Sequence, residues 1–291
     1  MRPSSRPAGP GAGRAAAFGH LNALIRTSHL GPSLAITGMI SLLVARAAPH
    51  GIGPVLVPFA VLAGELSIGW SNDVFDAPAD AAAGRADKPV ATGRISARAV
   101  FAAACVALAA AVVPCFAIGT STGIVNVVML AAGWAYNAGL KGTLASGLLY
   151  AIGFGLIPEF AASTLPGHPL ARPWALAVAA LLGLGAHFAN VLPDLAGDRA
   201  AGVRGLPQRV AEAAGAGAVR LVALVLLLGA SAMIALAPGA GQHRIAQAGF
   251  AAAAVLAVVG ARAAGRGPFL AAIAIAAIDT ALFAVGGVIL T

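Results

Sequence analysis

SNDVFDAPAD at residues 71–80 and NVLPDLAGD at residues 190–198 share one spacing, Asn-x3-Asp-x3-Asp, carried by Asn72, Asp76 and Asp80 in the first and by Asn190, Asp194 and Asp198 in the second. The first stretch holds three of the ten acids in the chain. Each closes a long apolar run, and the two Asn residues lie 118 positions apart. A motif repeated at the ends of two such runs predicts a duplicated helical unit.

Composition sets what those runs are. The 291 residues are 59% hydrophobic and 10% charged, with a mean hydropathy of +0.90, which excludes an ordinary soluble domain. Crossing the hydrocarbon core takes about 20 apolar residues in a helix, and the runs are too long and too uniform for barrel strands. Nine spans are predicted, at 28–46, 52–71, 98–116, 120–140, 143–163, 174–193, 217–238, 245–264 and 268–290. Four spans separate the two motifs, so both motifs end on the same side. The expected fold is an all-α polytopic membrane protein, two four-helix repeats plus a ninth helix. Residues 1–27 carry Arg2, Arg6, Arg14 and Arg26 without an apolar core, and read as a disordered basic tail preceding a transmembrane domain over 28–291.

The net charge is +8, and its distribution is more informative than its size. With nine spans, 15 of the 18 Lys and Arg residues fall on the side of the N-terminus and of both motifs, leaving Arg46, Arg172 and Arg244 opposite. Basic residues stay cytoplasmic, so the N-terminus is expected inside, the C-terminus outside, and the charge needs no nucleic acid to explain it. The Ala- and Gly-rich composition and lack of a targeting segment point to a bacterial plasma membrane. Cys105 and Cys115, ten residues apart on one predicted helix, are too distant for a disulfide and read as packing residues.

At about 100° per residue, Asn72, Asp73 and Asp76 share a helical stripe, as do Asn190, Asp194 and Asp198. Carboxylates gathered at a membrane boundary are either solvated helix ends or ligands of a cation, and the matched spacing favours the second. Carboxylate and carboxamide oxygens suit Mg2+, which retains water and recruits phosphate oxygens. Pro78 predicts that the first helix ends or bends just past Asp76, leaving Asp80 to reach in from a loop. Pro193 frees the Ala189 carbonyl and predicts a kink that turns Asp194 inward. Bases follow each motif: Arg85, Lys88 and Arg94 after the first, Arg199, Arg204 and Arg209 after the second, with Lys141 ending the fourth span. Some of these are topology signals; Arg94, Lys141 and Arg204, flanking the acids, are candidates to neutralise a diphosphate. Glu65 and His187 lie on the same two stripes, deeper in the membrane, as functional candidates or as helix-to-helix hydrogen bonders. Arg26 is a candidate acceptor contact or a snorkelling anchor.

NDVFDAPAD resembles the NDxxDxxxD motif of the UbiA superfamily of intramembrane prenyltransferases, and DLAGD its second, DxxxD motif. GRADKPVATGRIS resembles the loop after the first motif, with Lys88-Pro89 where an Arg-Pro is usual; DRAAGVRGLP resembles the stretch after the second; Tyr136 and Lys141 look like the family's Tyr–Lys signature. The resemblance implies nine helices around a central cavity open to lipid, and two Mg2+ ions holding an isoprenyl diphosphate at the cytoplasmic end. Asn72, Asp76, Asp80, Asp194 and Asp198 would bind metal, with Asp73 among the catalytic acids. Arg94, Tyr136, Lys141 and Arg204 would bind the diphosphate, and Glu65, His187, Asn190 and Arg26 would line an acceptor pocket. The expected activity is transfer of a prenyl group to a lipophilic or aromatic acceptor. A terpene cyclase with the same site is the near alternative, and a secondary transporter a remoter one, because carriers place their acids near the bilayer midplane.

Overall fold

The computed structural model describes residues 19, 21–47, 50–237 and 243–286. Helices follow one another in the order α1 (Leu30–Ala47), α2 (Gly53–Ala82), α3 (Ala97–Ile118), α4 (Thr120–Asn137), a 3-10 turn (Leu140–Gly142), α5 (Ala145–Gly155), α6 (Ile157–Ser163), α7 (Pro173–Val191), α8 (Leu195–Ala200), α9 (Leu206–Leu236), α10 (His243–Arg262) and α11 (Gly267–Gly286). Prolines lie in the opening positions of α2, α6, α7 and α9, where the N–H has no partner inside the helix. Ser96 starts α3 by accepting the Ala99 N–H at 3.2 Å.

Among the described residues eight helical stretches are long and apolar enough to cross a membrane, with α5 and α6 together counting as one. The helix at the fourth expected span, α4, is 18 residues long but falls outside that set. Its buried polar residues are satisfied inside the protein: Thr122 donates to the Ser163 carbonyl at 2.8 Å and Asn126 to the Ala111 carbonyl at 2.9 Å. Such bonds remove the cost that polar groups would otherwise incur in hydrocarbon.

The helices pack in succession, α1 on α2, α2 on α3 and α4, α4 on α5, α5 on α7, α7 on α9, α9 on α10 and α10 on α11, and α11 returns to α1 and α7. The chain therefore closes into a ring. Its largest apolar core joins Ile40, Val44, Val57, Phe160, Val178, Leu227 and Ile275, from both halves. Two isolated acids are structural ties within it: Asp279 accepts the Ser231 hydroxyl at 2.8 Å between α11 and α9, and Glu159 accepts the Ala171 N–H at 2.8 Å. Cys115 is buried and Cys105 exposed, both unpaired.

Three local expectations change. Pro78 does not end the first motif's helix, because α2 continues to Ala82. Its exposed ring lies one turn from the helix end, and the ladder resumes beyond it with Ala83 N–H bonding the Ala79 carbonyl and Arg85 N–H the Asp80 carbonyl. The fifth span is broken between Gly155 and Ile157, ahead of Pro158. Gly215, at φ 82°, divides α9 into a segment at the motif end and an apolar span, a conformation open to glycine. The tail expected over 1–27 lies outside the described residues except 19 and 21–27. Of these, 21–26 are helical and Ala23 is buried with Val90, Ile95 and Val100 against α2.

Candidate active site at the basic end

The two motifs sit where α2 and α7 end. Along α2, Asn72 donates to Asp76 at 3.0 Å, the contact that four-residue spacing on one helical face dictates. From α4, Asn137 accepts a second Asn72 N–H at 3.3 Å, while its own amide donates to the Ile68 carbonyl at 2.9 Å and the Ser71 hydroxyl at 2.8 Å. Lys141, in the turn after α4, places its ammonium on the Asp76 carboxylate. Asn137 and Lys141 thus bring the fourth helix onto the first motif.

Asp73 does not join this group. One residue from Asn72 is a rotation of about 100°, enough to face it toward Lys88, whose ammonium lies 2.7 Å from Oδ1, and toward His29, at 3.2 Å. Its side chain is 1% exposed. Asp73 therefore ties the loop after α2 and the start of α1 to α2, and Trp70 reinforces the tie by donating to the Leu24 carbonyl at 2.9 Å.

In the second motif α7 ends at Val191, and Pro193 lies in a turn before the short helix α8. Asp194 is exposed, and the half-buried Asp198 accepts the Gln208 amide at 2.7 Å. Burial pushes the Asp198 carboxyl above the usual carboxylate range; the neighbouring Asp194 and Asp76 push the same way, against the Gln208 hydrogen bond and the Lys141 ammonium. Acids from both motifs and the lysine therefore act on one another. Arg85 spans the gap: its bond to Asp87 holds the guanidinium above its ordinary pKa, and Asp80 and Asp194 add to the effect. Asp87 is pulled down to about 2 by that bond.

The remaining candidates separate. Arg94 is exposed in the loop after α2. Arg204 is turned to Glu212, at 2.7 Å, and Arg26 is exposed ahead of α1. Asp80 is half-buried one turn past Asp76 and its carboxyl makes no hydrogen bond among the described residues. Tyr136 meets Tyr150 edge-on at 5.2 Å and His187 at 5.7 Å, and His187 stacks on Tyr150 at 4.4 Å. His187 also lies 3.1 Å from the Ser146 hydroxyl, which accepts the Leu206 N–H at 2.9 Å. The Tyr150 hydroxyl lies beside Asn190 and Tyr136, with the Glu65 carboxyl within electrostatic reach. Sequence reading missed His29, Asn137, Tyr150 and Gln208 as members of this end, although Asn137 adjoins Tyr136 and Gln208 adjoins Arg209, both already singled out.

Among the described residues no three His, Cys, Asp or Glu side chains converge as a ready metal cage. The donors are instead two oxygen pairs, Asn72 with Asp76 and Asp194 with Asp198. That set fits Mg2+, which takes one or two carboxylates and completes its octahedron with water and phosphate oxygens.

The fold has solved counterparts. A UbiA homologue from Aeropyrum pernix K1 superposes with a TM-score of 0.67 at 19% identity, covering 87% of this chain and 97% of that one. A digeranylgeranylglyceryl phosphate synthase gives 0.64 at 16%, covering 92% and 99%. A UbiA homologue from Archaeoglobus fulgidus bound to GPP and Mg2+ gives 0.63 at 16%, covering 91% and 98%. No curated protein matches the sequence. Residues 34–268 match the model of the UbiA prenyltransferase family, a span that runs from α1 to the start of α11 and includes both acidic motifs. A ring of apolar helices with paired Asn–Asp motifs at one end is thus accompanied by a family match over most of its length, and the chain belongs to the UbiA prenyltransferase family.

Proposed function

We propose that this protein transfers a prenyl group from an isoprenyl diphosphate to an acceptor within the membrane, with two Mg2+ ions held by Asn72, Asp76, Asp194 and Asp198. The observation that carries the reading is the Lys141–Asp76 ion pair with Asp198 of the second motif within electrostatic reach of both, a base and two acids from both repeats. Relatives of the same fold bind GPP or DMAPP together with Mg2+, and the donor set here suits the same chemistry. We take α4 as a ninth span, and the motif end as cytoplasmic in a bacterial plasma membrane.

Bound magnesium would neutralise the charge that gathers on the leaving diphosphate. Lys141, released from Asp76, would donate to the diphosphate oxygens, with Arg85 and Arg94 supplying further positive charge from the loop above. Asn137 holds Asn72 in place, and Gln208 holds Asp198. Positive charge growing on the prenyl carbon would face Tyr136 and Tyr150, whose ring faces stabilise cations. The apolar walls exclude water from that carbon. Asp73 positions the loop without touching substrate.

The test is Mg2+-dependent binding of a non-hydrolysable geranyl diphosphate analogue to the purified protein. Asp76→Ala and Asp194→Ala should each abolish it; unchanged binding in both would overturn the reading. Incubation with geranyl, farnesyl or geranylgeranyl diphosphate alone should give no terpenoid hydrocarbon, which separates transfer from cyclisation.

A further inference from the structure

A cleft of about 290 Å3, open on one side, lies at the motif end between α7, α9, α10 and α11. Ala189 and Leu192 of α7, Leu224 and Leu227 of α9, Ala257 of α10 and Ala271 of α11 give it apolar walls. A side chain at Gly260 would run into Ala271, so α10 and α11 close its floor. Ala189 and Leu192 stand about 200° and 140° around α7 from His187. The cleft is therefore behind the helix that carries the second motif, apart from the metal and diphosphate site proposed above.

Arg220 is the charged side chain that lines it. It is exposed and donates to the Ala261 carbonyl at 3.2 Å, bridging α9 to the last turn of α10 at the mouth. It follows the Gly215 break, and α9 rises about 24 Å from Arg220 to Leu236. The guanidinium thus sits at the edge of hydrocarbon about 30 Å thick. Leu221, next to Arg220, and Val258, one turn before Ala261, are both exposed, so the mouth faces lipid.

The charge around the mouth is of one sign. Arg262 ends α10 and Arg266 lies in the turn before α11, both exposed. No acid lines the cleft. Asp194, two residues past Leu192, acts on Asp198 and Arg85 instead. Glu212 is bonded to Arg204, and Asp279 lies about 16 Å deeper than Pro268 along α11. One Arg220 N–H is committed to Ala261 out of the five a guanidinium carries, which leaves a fork for a phosphate above an apolar slot for its chain. An isoprenyl diphosphate would lack the carboxylates that hold its metal, and an ammonium headgroup would find no acid to receive it. We infer that the cleft binds one anionic glycerophospholipid of the leaflet on the motif side, its phosphate on Arg220 and one acyl chain between α7 and α9 to α11. Because Ala189 and Leu192 flank Asn190, that chain braces from behind the helix end carrying the second motif.

The experiment uses the full chain purified in detergent, with dioleoyl phosphatidylglycerol and dioleoyl phosphatidylethanolamine as probes, read by native mass spectrometry and thermal unfolding. The wild type should retain one phosphatidylglycerol per chain, in preference to phosphatidylethanolamine by at least about tenfold. Added phosphatidylglycerol should raise its melting temperature by about 5 °C. Arg220→Gln should cut that retention about tenfold and remove the shift, while melting within about 2 °C of wild type in detergent alone. Ala261→Phe, which fills the mouth and removes no charge, should do the same, and decides alone should Arg220→Gln melt early. A wild-type chain free of lipid, equal retention of the two lipids, a lipid-free pair of chains, or retention that survives both substitutions overturns the assignment.

Discussion

The Lys141 ammonium rests on the Asp76 carboxylate, joining the turn after α4 to the end of α2 across 65 residues of sequence. Both side chains are about one-quarter exposed, so the pair contributes little to folding, and its value lies in holding a cation beside the proposed metal ligand. Lys141→Ala is expected to weaken Mg2+-dependent binding of a geranyl diphosphate analogue by about 10- to 100-fold, the worth of a charge-assisted hydrogen bond. Isothermal titration measures this, and the melting temperature should move by no more than about 2 °C.

Asp73→Ala should behave in the opposite way. Removing this buried carboxylate releases Lys88 and His29, which are 17% and 41% exposed and can turn to water. The expected cost is about 1–3 kcal/mol, or several degrees in melting temperature for a chain of this size. Hydrogen exchange should accelerate over residues 85–95, whose Val90 and Ile95 are packed under the tie. A variant that melts normally but has lost catalysis would place Asp73 in the chemistry instead.

Gly205 has no room for a side chain, since a Cβ there would run into the Lys141 carbonyl oxygen and crowd the Gln208 side chain at 2.7 Å. Both neighbours belong to the proposed site. Gly205→Ala should therefore cost about 1–3 kcal/mol and also raise the KM for diphosphate several-fold with a smaller change in kcat. Effects on stability alone would show that the Lys141 turn relaxes without moving its ammonium.

Chelation should separate binding from folding. Asp76, Asp73 and Asp198 already have partners in Lys141, Lys88 and Gln208, so the fold does not depend on magnesium for neutralisation. EDTA is expected to abolish analogue binding while shifting the melting temperature by less than about 2 °C; a large drop would mark the metal as structural.

The motif spacing was readable because helical geometry is local: four residues bring Asn72 to Asp76, and an even number of spans returns Asp194 and Asp198 to the same end. Asp73 was misplaced on the same stripe because periodicity resolves a face only to about 100°, and Lys88 and His29, which decide its direction, are set by tertiary packing. Pro78 was overread as a helix terminator, although one missing N–H near a helix end leaves the bonds of Ala83 and Arg85 intact. Asn137 and Gln208 carried no charge to draw notice. Their importance arises only when α4 meets α2 and α9 meets α8.

The Ser146 hydroxyl between Leu206 and His187 has a consequence for the imidazole. The serine oxygen accepts the Leu206 N–H and keeps both a proton to give and a second lone pair to receive with. Nε2 of His187 therefore meets a partner that suits either neutral tautomer, while Nδ1 is buried without a partner among the described residues. One hydroxyl thus fastens the imidazole to the first residue of α9 and lets its proton sit on either ring nitrogen.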